Sequence, residues 1–515
     1  MKFVCTLVSV FFMISSVWSQ PCVMWKKNFG GSNTENPTSV QPTMDGGFIL
    51  IGNAASNDGD ISVAHGGMDI WVVKLNHVGM KQWEKTIGGS DDDYPGAIKQ
   101  TTDGGYIITG TTRSTDGDVI DKHDNADAWV VKLGAEGMIE WQKTIGGNGN
   151  DFGYSVQIAA DSSFIVTGAT NSSDGDLDSN RGGADYMLAK ISKEGTLEWI
   201  HTYGGSGEDI SAYVATTTDG GYILCGSSNS SDGIITDNHG AQDYWIIKTD
   251  SEGIMVWQKS YGGNNLDYAN MIQPTNDGGY VVCGMTYSDD QYITGNHGGV
   301  DYWIIKLDDT GAMQWQRALG GSKDDYANSI KKTSDGGYIV GGYTNSNDSM
   351  VTGYHDSTDA WVVKLSSAGA MQWQKTYGGT RIDYANWVEP TADGGYIMAI
   401  SSQSSDCDVT NNHGDFDFFI VKLAGTSTMP TQVAEHEDRQ EVQIYPIPLH
   451  SLLHIAMAEP NSTYEITDVL GKLLISGNIV KTDCEINMSQ IAPGYYSINV
   501  TDPNGKHTVV KLVKE

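Results

Sequence analysis

Apolar residues in this chain gather into short extended runs cut off by glycine or aspartate, and the same four runs return every 58 residues. In one copy, Met313 to Ala318 alternates around Trp315 until Gly320-Gly321 breaks it. Tyr326 to Lys332 is the next extended run. Asp335-Gly336-Gly337 then reads as a hairpin turn, its glycines supplying the positive φ that tight turns demand. Tyr338 to Thr344 follows, then a longer polar loop to Asp359, then Trp361-Val-Val-Lys-Leu365, ending in a short turn at Gly369. Runs of this length with no helical periodicity predict four short strands per unit.

The repeat keeps its spacing without an insertion or deletion. Trp25, Trp83, Trp141, Trp199, Trp257, Trp315 and Trp373 form one column, and Trp71, Trp129, Trp245, Trp303 and Trp361 a second, with Met187 and Phe419 in its remaining places. A supersecondary unit that cannot bury its own apolar face must stack on its neighbours. Four strands per unit make each unit a propeller blade, so the expected fold is all-β: a seven-bladed β-propeller with the Tyr326, Tyr338, Trp361 and Trp373 segments running from channel to rim. The first tryptophan strand has no complete blade before it, and the last unit stops at Phe419-Ile-Val-Lys-Leu423 with no tryptophan strand after it. The N-terminal strand is therefore expected to complete the seventh blade and remove the exposed edges. The stretch Leu-x-x-x-Gly-x-x-x-Trp resembles the tryptophan-docking pattern of quinoprotein-type propellers, which implies a hairpin between third and fourth strands. Seven repeats rather than eight, with no adjacent cysteine pair, argue against a quinone cofactor.

The repeat leaves both ends outside it. Residues 1–19 carry an early lysine, an apolar stretch from Thr6 to Ile14, and Val17 and Ser19 where a signal peptidase inspects the chain, so they read as a cleaved signal peptide leaving Gln20 first. The propeller then spans 20–424, a polar linker 425–442 and a final domain 443–515. No other segment is apolar and long enough to span a membrane. A formal charge of −33 argues against nucleic acid, whose phosphates require clustered lysine and arginine, and suits a soluble extracellular protein or one that gathers cations. Six cysteines are too few for a disulfide scaffold. Cys225 and Cys283 share a column in adjacent repeats, near enough to leave bonding open, and read as buried apolar thiols.

Several polar columns are filled in every copy. A lysine sits in each third strand (Lys74, Lys132, Lys190, Lys248, Lys306, Lys364, Lys422), and an aspartate precedes each by five residues (Asp69 to Asp417). A residue required seven times over is not a single active site, so these read as a structural network of paired buried charges. His65, His123, His239, His297, His355 and His413 share a further column with Arg181, in a His-Gly-x-x-Asp-x-Trp setting that resembles the structural histidine and aspartate of WD-type repeats. The loop entering each first strand and the loop between strands two and three emerge on one face. That face is long-looped and acidic, with Asp91, Asp92, Asp93, Asp324 and Asp325 in loops of the first kind; the other face has only tight glycine turns. Alternating aspartates in the second kind of loop (Asp58 and Asp60, Asp116 and Asp118, Asp174 and Asp176, Asp406 and Asp408) resemble part of a calcium loop, because hard cations want several oxygens. Solvated turn aspartates are the competing reading. The alternation is incomplete in copies four to six, at Asp232, Asp289 and Asp348. Trp387 and Tyr213 stand in a column otherwise held by Ser39, Ala97, Ser155, Met271 and Ser329. A stacking role toward a sugar or peptide in the channel competes there with simple packing. There is no nucleophile elbow, His-Glu-x-x-His or phosphate-binding loop.

After Leu423 the period stops. The motifs Ile444-Tyr445-Pro446-Ile-Pro448, Leu453-His-Ile455, Tyr464 through Gly471-Lys472, Gly477, Glu485 to Ser489, Pro493-Gly494-Tyr495-Tyr496 and Lys511 to Lys514 then resemble, in order, the type A C-terminal sorting domain of type IX secretion substrates in Bacteroidota. Short alternating strands and two glycine turns agree with the small β-sandwich that this resemblance implies. It further implies Sec export, contact with the type IX machinery and its sortase, passage across the outer membrane, and removal of the domain with release or attachment to surface lipopolysaccharide. The expected function is a secreted or cell-surface binding or adhesion module for an unidentified glycan or protein. The alternatives are a polysaccharide-active enzyme at the acidic mouth of the channel and a structural surface-layer component. Symmetry separates them, since an enzyme needs unlike groups gathered at one place.

Overall fold

In the computed structural model, residues 20–177, 179–425, 443–445, 452–456, 462–468, 472–480, 484–503 and 507–514 are described. The signal-peptide segment, the linker from 426 on, and Pro446, Pro448 and Gly471 lie outside them. The chain divides into two compact units, Met1–Ser427 and Thr428–Glu515. Among the described residues no helix is long and apolar enough to cross a membrane.

The first unit is a ring of seven four-stranded antiparallel sheets. Blade one comprises Glu35–Pro42, Phe48–Ala54, Asp69–Leu75 and Lys81–Ile87, paired in that order. Blades two to six repeat it, beginning at Asp93, Asp151, Asp209, Asp267 and Asp325. Blade seven takes three strands from Asp383–Pro390, Tyr396–Ser402 and Asp417–Leu423, and its fourth is Val23–Phe29, which pairs with the third from Val23↔Leu423 to Phe29↔Phe418. The expected closure is thus observed. Second and third strands are buried along almost their whole length, because a neighbouring blade covers each face and the in–out alternation disappears.

The seam between blades is built on the tryptophans. Each fourth-strand tryptophan packs against an aromatic ring on the second strand of the next blade, from Trp25 on Phe48 to Trp373 on Tyr396, with centroids 5.8 to 6.2 Å apart. The glycine of the Leu-x-x-x-Gly-x-x-x-Trp turn lies beneath the preceding blade's tryptophan: a Cβ at Gly369 would come within 2.9 Å of Trp315, and one at Gly79 within 3.0 Å of Trp25. These glycines also have positive φ, so both space and backbone demand them. Trp373 faces blade seven, whose fourth strand comes from the N-terminus and brings no such turn. There Val23 packs into the cluster holding Trp373, Gln20 Nε2 donates to Gln374 O at 2.7 Å, and Ala424 N donates to Cys22 O at 2.8 Å.

The third-strand tryptophans are fully buried and still satisfy their N–H groups. Trp71, Trp129, Trp245, Trp303 and Trp361 donate Nε1 to Glu84, Gln142, Gln258, Gln316 and Gln374 on the fourth strand, at 2.6 to 3.2 Å. Where Met187 and Phe419 carry no N–H to donate, Ile200 and Lys26 hold the acceptor's place.

The lysine and aspartate columns form separate networks. Asp69 and Lys74 stand at opposite ends of one strand, about 16 Å apart at the usual rise. Each lysine instead reaches the hairpin-turn aspartate on its own blade, at 2.7 Å for Lys74–Asp45 and up to 3.2 Å for Lys132–Asp103. Asp69 and its equivalents bind the histidine column at the other end, as in His297 Nδ1–Asp301 at 2.6 Å and His355 Nδ1–Asp359 at 2.9 Å, with Arg181–Asp185 at 3.3 Å.

Every blade junction therefore buries two carboxylates. A Cβ at Gly88 would lie 2.5 Å from Asp69 Oδ1 and 2.6 Å from Asp93 Oδ2, and the other six junction glycines sit between equivalent pairs. Oδ1 of all seven third-strand aspartates is buried without a hydrogen-bond partner. Burial pushes Asp185, Asp325 and Asp417 up to about 6, the second carboxylate adding to it, and raises Asp243 and Asp359 likewise. The turn aspartates go the other way. At Asp161 the Lys190 hydrogen bond leads; at Asp45, Asp219 and Asp277 burial pushes upward but the lysine and threonine hydrogen bonds outweigh it, and all four fall to about 2.

Cys225 and Cys283 are buried, free thiols, raised by burial. In the second unit, strands Gln443–Tyr445, Leu452–Ala456 and Cys484–Asn487 form one sheet, and Leu473–Ile479, Ser462–Asp468, Gly494–Thr501 and His507–Lys514 another. They share a core of Leu453, Ile455, Ile466, Ile486, Ile498 and Leu512, a small sandwich. Tyr445 pairs with His454, Lys472 closes the turn onto Asp468, Gly494 opens a strand, Tyr495 is exposed, and Lys511 pairs with Ser497.

Two outcomes follow from the seam and the junctions. Gly336 has φ +79 with nothing within 4 Å of an added Cβ, whereas Gly369 has φ +75 beneath Trp315. Gly336→Ala should cost about 1 kcal/mol for the backbone alone, and Gly369→Ala about 1–2 kcal/mol more for the displaced ring, read by urea unfolding; equal losses would show that the seam tolerates a methyl group. The raised junction carboxyls bind protons more tightly folded than unfolded, so their contribution is complete below the ordinary 3.8 and is lost as pH rises through about 6. The turn aspartates' contribution is lost as pH falls from 3.8 toward about 2. Thermal melts should accordingly peak at about pH 4 to 5 and decline on both sides.

Candidate binding face and channel

Direction of the strands sorts the chemistry. First strands start on the long-looped face and end at the tight glycine turns. The alternating aspartates lie on the long-looped face, where they clasp the connection between blades. Asp58 Oδ1 accepts Ser32 N at 2.7 Å, Asp116 Oδ1 accepts Ser90 N at 2.8 Å, Asp174 Oδ1 accepts Asn148 N at 2.8 Å and Asp406 Oδ1 accepts Thr380 N at 2.9 Å. The second aspartate of each pair is held as well: Asp60 by Lys81 at 2.7 Å, Asp118 by Gly88 N at 3.3 Å, Asp176 by Gly146 N at 3.4 Å and Asp408 by Lys26. The first column is complete in all seven blades, with Asp232, Asp290 and Asp348 accepting Ser206, Asn264 and Ser322 N. In blade five Asp290, not Asp289, fills it. The alternation thus has a structural account, and among the described residues no three histidine, cysteine, aspartate or glutamate side chains gather as a cation site.

The channel gathers unlike groups. Tyr213 and Trp387 come from blades four and seven to 6.1 Å between centroids, and both are buried. Lys331 lies with them, Nζ 4.5 Å from the Trp387 ring centre and 5.6 Å from that of Tyr213. Its charge is met by Glu389 at 3.1 Å, which also accepts Trp387 Nε1 at 2.9 Å and Gln41 Nε2 at 3.3 Å. Gln157 donates to the Tyr213 hydroxyl at 3.0 Å, and Lys99 donates to Gln41 at 3.3 Å. Burial pushes the Tyr213 hydroxyl up, but Lys331 and Lys99 outweigh it and leave it below its ordinary value; burial pulls Lys331 down, and Glu389 and Tyr213 more than restore it. The pair predicted to line the channel is therefore brought together, and its rings pack around the ion pair of buried Lys331 with half-buried Glu389. The polar half of this plug, the column Gln41, Lys99, Gln157, Ala215, Gln273, Lys331 and Glu389, was missed in the sequence; its signal is that it varies where neighbouring columns repeat.

A second unlike set lies on the long-looped face. Tyr326 and Tyr343 of blade six stack at 4.7 Å, Tyr343 meets Tyr384 of blade seven at 4.6 Å, Tyr384 stacks with Phe416 at 6.0 Å, and Tyr287 of blade five places its hydroxyl 3.2 Å from that of Tyr326. The rings are half-buried, and Tyr287 is exposed. Burial raises the Tyr326 and Tyr343 hydroxyls well above their ordinary value. Sequence reading missed this arc because its members belong to four different columns.

Residues 443–515 match the family model of the secretion system C-terminal sorting domain. No curated protein sequence matches the chain. Among solved structures, PorZ, a surface component of the type-IX secretion system of Porphyromonas gingivalis, is 11% identical with a TM-score of 0.38, covering 95% of this chain and 60% of its own. Sqt1 from Chaetomium thermophilum is 10% identical at 0.38, covering 78% and 100%, and a luciferin-regenerating enzyme is 11% identical at 0.31, covering 65% and 93%. The chain spans only 60% of the PorZ chain. Likenesses of this strength say nothing about what the propeller binds.

The channel plug makes a direct prediction. Lys331→Met leaves the half-buried Glu389 carboxylate without its cation and should cost about 2–3 kcal/mol in urea unfolding. Adding Glu389→Gln should recover much of that loss, and a double variant no more stable than the single one would mean that the ion pair is not what Lys331 provides.

Proposed function

We propose that this type IX secretion substrate, carried across the outer membrane by its C-terminal sorting domain, is a binding and adhesion module whose ligand meets the long-looped face of the propeller. The difference between the two faces carries this reading. At the tight-turn face the turn aspartates and third-strand lysines repeat one ion pair seven times, as a fold requires of itself. At the long-looped face the aspartate clasps and the histidine–aspartate pairs repeat too, but unlike aromatic residues of blades five to seven are added to them, which is where selection for a ligand leaves its mark. The unlike ionisable groups of the channel, which an enzyme would need within reach of substrate, are packed against one another, with Tyr213 and Lys331 buried and Glu389 tied to Lys331. That supports binding over catalysis.

The exposed Cys407, on the long-looped face between Asp406 and Asp408, provides the test. In a Cys22→Ser/Cys484→Ser background, the full chain carrying a maleimide-linked polymer on Cys407 should lose binding across glycan and protein arrays. With Cys407→Ser and Ser367→Cys, the same polymer sits on an exposed tight turn and should leave binding intact. Blocking by position 367 rather than 407 would move the site to the other face.

A further inference from the structure

The aromatic arc of blades five to seven is not required by the fold, because the same repeat builds the other blades without it. The column of Tyr326 and Tyr384 is aromatic also at Tyr94, Phe152 and Tyr268 but holds Asn36 and Ile210 in blades one and four, and the other three columns lack rings outside the arc: that of Tyr343 holds Asn53, Thr111, Ala169 and Ser227; that of Phe416 holds Met68, Ala126 and Ala184; and that of Tyr287 holds Arg113, Asn171 and Asn229. Yet in three adjacent blades these four independent columns converge on one run of touching rings.

We propose that this arc binds a neutral, polyhydroxylated glycan chain, an assignment that rests on the face identified above and names its ligand class. A tyrosine ring presents a negative face to the polarised C–H bonds on the flat side of a sugar ring, and its hydroxyl remains available for hydrogen bonding. Polar groups able to meet sugar hydroxyls border the arc. Asp324 lies close enough to act on both Tyr326 and Tyr343. Asp415 is anchored beside Phe416 by Gln403 at 2.6 Å and Thr34 at 3.2 Å, and the side chains of Asn345 and Thr358 bond at 2.6 Å beside Tyr343. A face carrying these carboxylates, on a chain of net charge −33, repels polyanions, so uronic, sulfated or phosphorylated glycans are disfavoured. The rings are only half-buried and interleaved with hydroxyls and carboxylates, unlike the fully desolvated apolar anchors that dominate protein–protein interfaces.

Calorimetric titration of the full chain with neutral hexasaccharides (β-1,4-glucan, β-1,3-glucan and α-1,6-mannan), and with hexagalacturonate as the anionic comparison, tests the assignment. At least one neutral hexasaccharide should bind and the anionic one should not. Tyr326→Ala/Tyr384→Ala should weaken that binding about tenfold or more, Tyr326→Phe/Tyr384→Phe should retain it, and Tyr94→Ala, in the same column on blade two, should leave it unchanged. A thermal melt of each variant establishes that the ring is intact, and Tyr384→Ala alone replaces the pair if the pair lowers the midpoint. No neutral hexasaccharide bound, or binding that survives loss of the arc rings, overturns the proposal. Array binding to a protein that is blocked at Cys407 and abolished by the same alanines would overturn the glycan assignment while leaving the face in place; loss of both would remove both.

Discussion

Everything in the propeller depends on one contact made between blades: the fourth-strand tryptophan lying over a glycine turn and an aromatic ring of its neighbour. A four-stranded sheet cannot bury both of its faces, so its stability must come from the blade beside it. Tryptophan supplies the area, and glycine supplies the close approach. The rigid spacing of the repeat follows from that geometry, because one added residue between the glycine and its tryptophan would turn every later side chain to the opposite face of the strand. At Trp373 the glycine turn is missing from blade seven, and the segment around Gln20 and Val23 lies there instead.

Much of this was legible in the sequence, because the repeat supplies seven versions of one answer. The tryptophan columns gave the period, the glycine turns gave the strand boundaries, and the unmatched strands at either end gave the closure. The exchange of tryptophan and its acceptor for Met187 with Ile200, and for Phe419 with Lys26, shows how far such a reading can go: a donor and its acceptor are lost together because a buried amide left alone is costly. The reading named the charge network but not its partners, because neighbours in sequence need not be neighbours in space. Asp69 and Lys74 are five residues apart, but a strand carries those five residues from one end of the blade to the other, and each finds a different partner.

The features that matter for function were harder to see for the opposite reason. Aligning copies rewards sameness, whereas the channel plug and the aromatic arc are assembled mostly from positions where copies disagree. Tyr213 and Trp387 stood out because two large rings interrupted a column of small residues. Lys331 and Glu389 did not, because their column is mixed throughout. Tyr287, Tyr343, Tyr384 and Phe416 occupy four columns and meet only when the blades are curved into a ring. A repeat protein thus contains its own control: positions that agree report the fold, and clusters of disagreement report what has been added to it.

The fourth strand of blade seven also dictates the order of events in time. Val23 pairs with Leu423, so the propeller's first strand has no partner until the last blade is in place. Contacts so distant along the chain form late, since the entropy of closing the loop must be met before the pairing repays it. Until then the ring is an open stack with an unpaired edge at blade seven, and its two ends must remain free to find each other. Folding from one end cannot finish this domain one blade at a time; it completes in a single closing step that joins both ends of the propeller.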